Sequence, residues 1–424
     1  MRAKIAYIMS RFPHLPETFI LREMIAVEMQ GWEIALYPLI TQDQPMVHAE
    51  AQAWLKRAHR LPWLSLNILA ANLRQLTTRP RRYVSLWSRV VWENRASLKF
   101  LLRAVILFPK AVRMAEQMQQ EGVLHIHAHY ATHPALAAWL IHELVGITYS
   151  ITVHAHDIFV EKAMLAAKLR NAAFIVAISD YNREYLTREV GVSIAEKIHV
   201  VHCGIDPAIY KAHAHPPVSS EPFEIISVGS LQPYKGMRYL IEACALLRER
   251  GLPFHCRIIG DGEEMPGLQR MIVDRKLESC VELMGAKTQA EVARLLPGAH
   301  CYVQSSIVTP SGKMEGIPVS IMEAFASGLA VVATEISGIP ELVRPGVTGH
   351  LVPPADPQAL ADAMSNVYMD PIGVARMVKA GQALVTKEFN IEHSARQLSA
   401  LFEQFLCQAR VPDVGRIEVH PICG

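Results

Sequence analysis

The stretch EGIPVSIMEAFASGLAVVAT, residues 315–334, contains the pattern that decides the fold class. Pro318 suits the first position of a helix because its missing N–H would have no partner there, and Gly328 suits the left-handed position just past the end. A helix over 318–327 is therefore expected, about 15 Å long at about 1.5 Å per residue. The apolar run AVVAT reads as a buried strand, so the stretch is a helix–strand unit of an α/β protein.

Short apolar runs alternate with longer helical patterns along the rest of the chain, which predicts βαβ units and parallel sheets. The segment KAHAHPPVSSEP, at 211–222, has two prolines, two serines and no periodicity, so it indicates a linker between two doubly wound domains. The first series of expected strands covers 4–9, 33–39, 124–129, 149–155, 174–179 and 198–204, and the second covers 223–229, 255–260, 281–285, 300–306 and 330–335.

The composition excludes several classes of protein. Of the 424 residues 51% are hydrophobic and 19% charged, which is typical of a globular chain and not of a disordered one. The seven cysteines are scattered, odd in number and without a CxxC pair, so neither a disulfide framework nor a structural zinc site is indicated. The first apolar run is too short before Arg11 for a signal peptide. We therefore expect a cytoplasmic protein.

Positive charge is concentrated near the N-terminus. Residues 1–120 contain 17 Lys or Arg and 8 Asp or Glu, and the segment 79–113 contains nine basic residues and one acidic residue among tryptophans and aliphatic side chains. One interpretation is a basic amphipathic segment on the inner face of an anionic plasma membrane. The other is a helix pair that packs in the core with a solvated basic face. No motif for nucleic acid accompanies the charge.

Two carboxylates flank the start of the helix expected in the opening stretch. Glu315 lies in the preceding loop and Glu323 in the middle of the helix. A helix start with free amides, here those of Gly316, Ile317 and Val319, binds phosphate, whereas a carboxylate accepts hydrogen bonds from vicinal hydroxyls. Glu315, the helix start and Glu323 would then bind hydroxyls, a phosphate and hydroxyls in that order, and a nucleotide sugar has its groups in the same order. For the pair alone, an amphipathic helix with one exposed glutamate is the simpler explanation, so other motifs must decide.

Two loops in the same half of the chain have the composition of a phosphate site. VGSLQPYKG, at 228–236, ends a strand with Gly229 and places Lys235 before a helix start, where an ammonium group can neutralise a diphosphate. IIGDGEE, at 258–264, forms a glycine-rich turn at Gly260 without the full dinucleotide fingerprint.

Taken together, these motifs closely resemble the retaining glycosyltransferases of family 4, which have the GT-B fold. The resemblance rests on the E-x7-E pair Glu315 and Glu323 and on EAFASGLAVVAT (323–334), SGIPELV (337–343), GVTGHLVPPAD (346–356) and HCGIDP (202–207). The segments SRFPHLPETFILRE (10–23) and TVHAHDIF (152–159) resemble the subgroup that makes bacterial exopolysaccharides, including colanic-acid-type enzymes.

The resemblance implies two Rossmann-like domains that face each other across a cleft. An acceptor-side domain is expected over 1–210 and a nucleotide-sugar domain over 223–390. The segment 391–424 is expected to contain a helix, at about 391–409, that returns to the N-terminal domain, followed by a tail.

The family also implies roles for single residues. Glu315 and His154 are expected at the donor sugar, Lys235 at the diphosphate and Glu323 at the ribose. The remaining donor-binding candidates are the loop and helix-start residues Gly229, Ser230, Gly260, Gly316, Ile317 and Val319.

Ser230 departs from the family pattern. The family usually has an arginine at this position, which pairs with the diphosphate, and a serine brings no charge. Lys235 must then neutralise more of the phosphate, or another cation must substitute. The resemblance implies no obligatory metal and no cofactor, and the sequence offers no DxD pair in a plausible metal loop.

Two further features lie on the acceptor side. HIHAHYATH, at 125–133, places His125, His127 and His129 on one face of a strand, where imidazoles either bind zinc or contact substrate and backbone; we expect no metal and take His129 as an acceptor-side candidate. Glu17 lies in the first βα loop, where open α/β sheets place ligands, although capping of the next helix explains it equally.

The expected activity is transfer of a sugar from a UDP- or GDP-linked donor to a lipid-linked or polysaccharide acceptor. Two alternatives remain open: a nucleotide-sugar epimerase of the same fold, and a non-catalytic partner subunit that binds sugar nucleotides.

Overall fold

The N-terminal half of the chain forms a parallel six-stranded sheet. The computed structural model describes residues 3–13, 18–42, 49–210 and 222–409. The strands of this sheet are β1 (Lys4–Phe12), β2 (Glu33–Thr41), β3 (His125–His129), β4 (Thr148–Val153), β5 (Phe174–Ala177) and β6 (Ile198–Val200), in the order β2-β1-β3-β4-β5-β6. Its helices are α1 (Thr18–Met29), α2 (Ala49–Arg57), α3 (Leu66–Thr78), α4 (Pro80–Asn94), α5 (Leu98–Gln120), α6 (His133–Val145), α7 (Ala155–Phe159), α8 (Leu165–Asn171) and α9 (Asp180–Val190).

The C-terminal half forms a second parallel six-stranded sheet. Its strands are β7 (Phe223–Val228), β8 (Phe254–Ile259), β9 (Val281–Leu283), β10 (Cys301–Gln304), β11 (Ala330–Thr334) and β12 (His350–Val352), in the order β12-β11-β10-β7-β8-β9. The helices of this half are α10 (Met237–Glu249), α11 (Met265–Asp274), α12 (Gln289–Leu295), α13 (Val319–Ala326), α14 (Ile339–Leu342), α15 (Pro357–Met369), α16 (Pro371–Glu388) and α17 (Ile391–Ala409). Two doubly wound sheets confirm the expected fold class.

Strand order reverses once in each sheet, and these points locate the crevices. In the first sheet the chain goes from β1 outward to β2 and returns to β3 on the other side of β1; in the second it goes from β7 outward to β9 and returns to β10 beside β7. Ligands of open α/β sheets bind outside the carboxyl ends of the strands at such switch points. A ligand site is therefore expected at the loops after β3, β7 and β10.

Helix α17 packs on the first sheet although it follows the second in sequence. Ala395, Leu398 and Phe402 are buried in one cluster with Ile5 and with residues of α1. Next to this crossing, Ile205 exchanges backbone hydrogen bonds with residues 389 and 391, each 2.9 Å long, so the two crossings of the chain between the halves lie side by side. Residues 211–221 of the linker expected at 211–222, and the tail at 410–424, lie outside the described residues, and the proposed domain bounds stay a prediction.

Three sequence expectations need correction. The helix after Glu315 begins at Val319, because Pro318 has an extended ψ of 115° and caps the helix instead of entering it. Strand β4 ends at Val153, so His154 is the cap of α7 and not a strand residue. The short strand β12 was not expected.

Candidate active site

The glycines at the carboxyl ends of β7 and β8 bring two loops into direct contact. Gly260 has a φ of 150°, and a Cβ atom there would lie 1.8 Å from the carbonyl oxygen of Gly229. A Cβ on Gly229 would in turn meet the side chain of Lys235 at 3.2 Å. Both glycines therefore shape the loop that holds Lys235, and any larger residue at Gly260 would push the loops apart.

Lys235 and Glu315 form an ion pair at this switch point. The Nζ atom of Lys235 is 2.6 Å from Oε2 of Glu315, and the two side chains are only 11% and 13% exposed. Burial is the largest single effect and acts to lower the pKa of Lys235, but the charges of Glu315 and Tyr234 and the hydrogen bond to Glu315 together outweigh it, so the pKa is raised. The lysine is therefore charged, and it faces a carboxylate that comes from the loop before α13.

A polar network continues from this pair along the end of β10. Ser306 donates to Glu315 at 3.4 Å, and Gln304 Nε2 donates to Ser306 Oγ at 2.7 Å. The Tyr302 hydroxyl donates to the Gln304 side chain, also at 2.7 Å. Burial raises the pKa of Tyr302, and the charges of Glu315 and Glu323 raise it further. The charges of both glutamates thus raise the pKa of the same hydroxyl group, which is expected of two carboxylates at the same end of the sheet.

Glu323 has a protein partner of its own. Tyr210, which precedes the linker, donates to Oε1 of Glu323 at 2.5 Å and accepts from Gln289 at 2.9 Å. Burial raises the pKa of Glu323, and the hydrogen bond from Tyr210 partly opposes this. The mid-helix carboxylate is therefore held in one orientation by a residue that sequence reasoning did not single out.

A second lysine lies beside the same loop. Lys313 donates to the side chain of Gln232, and its Nζ is 4.6 Å from the ring centroid of Tyr234; the Nζ of Lys235 is 5.5 Å from that ring. Ser230 Oγ is 3.5 Å from the Tyr234 hydroxyl. Two ammonium groups therefore lie against one tyrosine next to the uncharged Ser230.

His154 lies at the carboxyl end of β4 in the first sheet. Its ring is buried and packs against Phe19 at 5.2 Å and Tyr130 at 4.5 Å between centroids. Its Nε2 is 3.4 Å from Nδ1 of His129. Burial, and secondarily the charge of His129, lower the pKa of His154 well below its usual value, so the ring is neutral near pH 7.

Asp157 and Lys168 fix the loop that contains His154. Asp157 accepts from the amide of His154 at 2.8 Å and from that of Ala131 at 2.5 Å, while Lys168 donates to the carbonyls of Ala131 and Ala163. Burial raises the pKa of Asp157 to about 7, against the effect of its backbone hydrogen bonds, and lowers that of Lys168 to about 7. In the sequence, buried Lys168 is recognisable only as a lysine inside the apolar run MLAAKL.

The histidines of β3 form a buried ladder with hydroxyl groups of β4. His125 contacts Thr148 and Ser150, and His127 contacts Ser150 and Thr152, each at 2.8 Å. His129 continues the ladder to Glu23 at 3.0 Å. The set Glu23, His127 and His129 offers ligand atoms within 4.8 Å of one another, so these residues, and not the three histidines together, could hold a metal ion.

The two halves meet through loops at the cleft. A Cβ on Gly316 would lie 3.2 Å from Ile178 of the first half. Glu341 at α14 accepts from the amides of Asp180 and Tyr181 at the start of α9, at 3.1 and 3.0 Å, and from His202 at 3.1 Å. The loop that contains Glu315 and helix α14 therefore both lie against the segment that follows β5 in the first half.

The structure places the expected site residues in two groups. Lys235, Glu315 and the loop residues Gly229, Ser230, Gly260, Gly316 and Ile317 lie at the switch point of the second sheet, with Val319 and Glu323 on α13 beside it. His154 and His129 lie together at the end of the first sheet. Glu17 lies outside the described residues. Sequence reasoning missed Lys313, Tyr210 and Asp157.

Two models of known protein families match the chain. The first, described as "Glycosyltransferase Family 4", covers residues 17–209, and the second, "Glycosyl transferases group 1", covers residues 222–370. The first region contains strands β2 to β6 of the first sheet, and the second contains all six strands of the second sheet.

Individual relatives agree with these matches. The chain is 30% identical over 416 residues to WcaL of Escherichia coli, which is named as a colanic acid biosynthesis glycosyltransferase; the match covers 94% of this chain and 99% of that one. It is 40% identical over 210 residues to the amylovoran biosynthesis glycosyltransferase AmsK of Erwinia amylovora, over 50% and 51% of the two chains. Anabaena Alr3699/HepE in complex with UDP-glucose superposes with a TM-score of 0.68 at 19% identity, over 95% of this chain and 99% of the other.

Proposed function

Because the chain belongs to the glycosyltransferases of family 4, we propose that it transfers a sugar from a nucleotide-sugar donor to an acceptor of exopolysaccharide biosynthesis, with retention of the anomeric configuration. The observation that carries the proposal is the ion pair of Lys235 and Glu315 at the switch point of the second sheet. The names of WcaL and AmsK support the pathway, and the UDP-glucose bound to Alr3699/HepE supports the donor class.

The chemistry follows from where charge develops. In retaining transfer the leaving group and the acceptor lie on one face of the sugar, so positive charge grows at the anomeric carbon and negative charge on the departing diphosphate. A fixed cation near that diphosphate lowers the barrier, and Lys235 is the proposed cation. Glu315 would accept from sugar hydroxyls and hold Lys235 in place. We propose that the lysine charge and the start of α13 neutralise the diphosphate without a metal or another cofactor.

The remaining contacts complete the proposed donor site. Glu323, oriented by Tyr210, would accept from the ribose hydroxyls. The neutral imidazole of His154 would bond a sugar hydroxyl from the opposite side of the cleft, since Asp157 holds the amide of that residue. Acceptor binding is proposed at the carboxyl end of the first sheet, where His129 lies. In the sequence, Glu17 follows the first strand of the same sheet.

The test is a panel of UDP- and GDP-sugars. A donor that binds only the native state raises its stability, by about 2.7 kcal/mol at a hundredfold excess over Kd, so one nucleotide class should raise the melting temperature. That donor should then be hydrolysed slowly without acceptor, with release of the nucleotide. Conversion into another nucleotide sugar would establish an epimerase instead, and stabilisation without any turnover would establish a binding subunit.

Lys313 is the proposed substitute for the charge that Ser230 lacks. Its position against Tyr234 and beside Gln232 places an ammonium group at the same loop. Lys313→Ala should lower donor turnover about tenfold to a hundredfold, since a hydrogen bond to a charged group is worth about 1.5–3 kcal/mol. Ser230→Arg in that variant should restore most of the activity. Steady-state kinetics at varied donor concentration measures both effects, and an unrescued double variant would contradict the substitution.

We also propose that the outer face of α3, α4 and α5 docks on an anionic membrane surface. Apolar side chains there remain exposed, with Trp92 at 65% and Leu98 at 79%, while Leu86, Val90 and Phe108 of the same helices are in the core. Arg81 and Arg82, at the start of α4, are exposed as well. None of the described helices is both long and apolar enough to cross a membrane.

Charge reversal tests the docking surface. Arg81→Glu with Arg82→Glu should weaken co-sedimentation with phosphatidylserine-containing vesicles at least tenfold, because each basic residue near such a surface contributes about 1 kcal/mol. Arg89 and Lys99 are left unchanged, since they pair with Glu143 and Glu161. Arg376→Glu with Lys379→Glu, on α16, is the matched control. Equal binding of both double variants would rule the surface out.

A further inference from the structure

A chain of hydrogen bonds joins helix α1 to His154 at the carboxyl end of the first sheet. Oε1 of Glu23, on α1, is 3.0 Å from Nε2 of His129, the last residue of β3. Nδ1 of His129 is in turn 3.4 Å from Nε2 of His154. The three residues belong to three separate motifs of the sequence: SRFPHLPETFILRE (10–23), HIHAHYATH (125–133) and TVHAHDIF (152–159). The fold therefore brings these motifs into direct contact.

The geometry and burial of this chain suit directional hydrogen bonds. The ring planes of His129 and His154 are 26° apart, and the ring centroids are 5.7 Å apart. Because the facing nitrogens are only 3.4 Å apart, the two rings lie edge to edge and not face to face. His129 is 0% exposed and His154 6%. Water has little access to either ring, so the rings obtain their hydrogen bonds from the protein.

Glu23 sets the direction of the chain. An ionised carboxylate only accepts hydrogen bonds, so the proton of an uncharged His129 lies on Nε2. Nδ1 of His129 is then an acceptor, and the facing Nε2 of His154 must carry the proton of that ring. The hydroxyl of Tyr7 also donates to Oε1 of Glu23, at 3.1 Å, so two donors orient the carboxylate. One carboxylate thereby selects the tautomer of a ring two hydrogen bonds away.

His127 lies beside this chain and takes no part in it. Its Nδ1 and Nε2 are 2.8 Å from the hydroxyls of Ser150 and Thr152. Its Nε2 is 3.8 Å from Oε1 of Glu23, which is beyond the distance of a hydrogen bond. The connection between Glu23 and His154 therefore runs through His129.

We propose that Glu23 is a positioning residue for His154: through His129 it holds the His154 ring in one orientation, with the proton on Nε2. The inference rests on the contact with the donor sugar proposed above for His154. Glu23 itself does not touch the donor. It supplies an oxygen atom that accepts from His129, as residues behind a functional side chain orient it in other sites. Because Tyr7 and His129 donate to the same oxygen, the carbonyl oxygen of a glutamine side chain can replace it.

The direct test is nitrogen-15 NMR of the full chain labelled at histidine, at pH 8, where the shift of each ring nitrogen shows whether it carries a proton. The signals are assigned with His129→Gln and His154→Gln. In the wild type, Nε2 of both rings should carry the proton. Glu23→Gln should keep this pattern, whereas Glu23→Leu removes the acceptor and should give His154 a mixture of both tautomers.

Glu224→Leu is the matched control. Glu224, in the second half, is likewise bonded to an imidazole at 3.0 Å, that of His255. Its removal should leave the signals of His129 and His154 unchanged. In transfer kinetics, Glu23→Leu should lower kcat about tenfold to a hundredfold, and Glu23→Gln should stay close to the wild type. Melting temperatures of the same variants report any general loss of stability.

Three results would overturn the inference: a wild-type His154 without a proton on Nε2, an unchanged His154 pattern in Glu23→Leu whatever its melting temperature, and normal transfer in a Glu23→Leu protein whose His154 pattern has changed. None of the three contradicts the proposed sugar transfer. A tautomer that depends on Glu23, in a wild type that releases nucleotide from no donor, would support the hydrogen-bond chain and refute the transfer instead.

Discussion

Replacing Lys235 with methionine is expected to reduce kcat for sugar transfer by about 10²–10³-fold. Methionine keeps most of the aliphatic length of lysine but has no charge, so the diphosphate loses the cation closest to the switch point. Removal of one preorganised group that stabilises developing negative charge has an effect of about this size in other enzymes. Initial rates at saturating donor measure it directly.

The partner variant Glu315→Gln is expected to be equally inactive. Its glutamine cannot form an ion pair with Lys235, and one of the two carboxylate oxygens that would accept from the donor sugar is replaced by an NH2 group, which can only donate. Breaking a buried pair also leaves one charge uncompensated, so each single variant should lose stability as well as activity. The Lys235→Met, Glu315→Gln double variant removes both charges and should regain much of that stability.

Comparison of stability with activity identifies the role of the pair. If the double variant is as stable as the wild type and still inactive, the pair acts on the donor. If it recovers transfer together with stability, the pair is only structural. Circular dichroism and melting temperature provide the stability measurement for all three variants. Near-normal transfer in either single variant would refute the assignment of the donor site.

The second large effect concerns acid pH. Burial lowers the pKa of His125 to about 3 in the folded chain, from an ordinary value near 6.5. Below pH 6.5 the unfolded chain therefore binds a proton that the folded chain does not, and the contribution of His125 to stability is lost as the pH falls from 6.5 towards 3. For this single histidine the loss at pH 5, relative to pH 8, is about 2 kcal/mol.

The measurement is the difference between two proteins, because other buried groups titrate in the same range. Urea unfolding of the wild type and of His125→Gln at pH 8 and pH 5 gives two pH-dependent changes in the free energy of unfolding. The variant should lose about 2 kcal/mol less than the wild type. His255→Gln is the control, since His255 is 53% exposed. An identical pH dependence in wild type and His125→Gln would show that the ring is protonated in the fold.

The spacing of apolar runs, and the glycines and prolines between them, were sufficient to predict eleven of the twelve described strands. The eleven apolar runs fall on strands β1 to β11, because strands buried on both faces require continuous apolar sequence. The ends were less predictable: Pro318 is compatible with the cap and with the first helical position, and only the backbone decides between them. Strand β12 has three residues, which is too short for a periodic signal.

For the candidate site, the sequence identified several of the residues but not which of them contact one another. Lys235 and Glu315 are 80 positions apart, and only the order of strands β7 and β10 brings them together. Lys313 lies two residues before Glu315, yet a lysine in a loop with Ser and Gly carries no sign of which side chain it faces. Tyr210 was missed for the same reason, since its partner Glu323 lies beyond the linker.

The side-by-side crossings at Ile205 and residues 389–391 also limit how the cleft can open. Two covalent connections that are hydrogen-bonded to each other act as one hinge, so the halves can swing about a single line but cannot slide apart without breaking these bonds. The hydrogen bonds from the start of α9 to Glu341 also link the two halves and must break before the halves can swing apart. For the proposed transfer, entry of the donor and exit of the nucleotide would then require the hydrogen bonds of Glu341 to break while those of Ile205 stay intact.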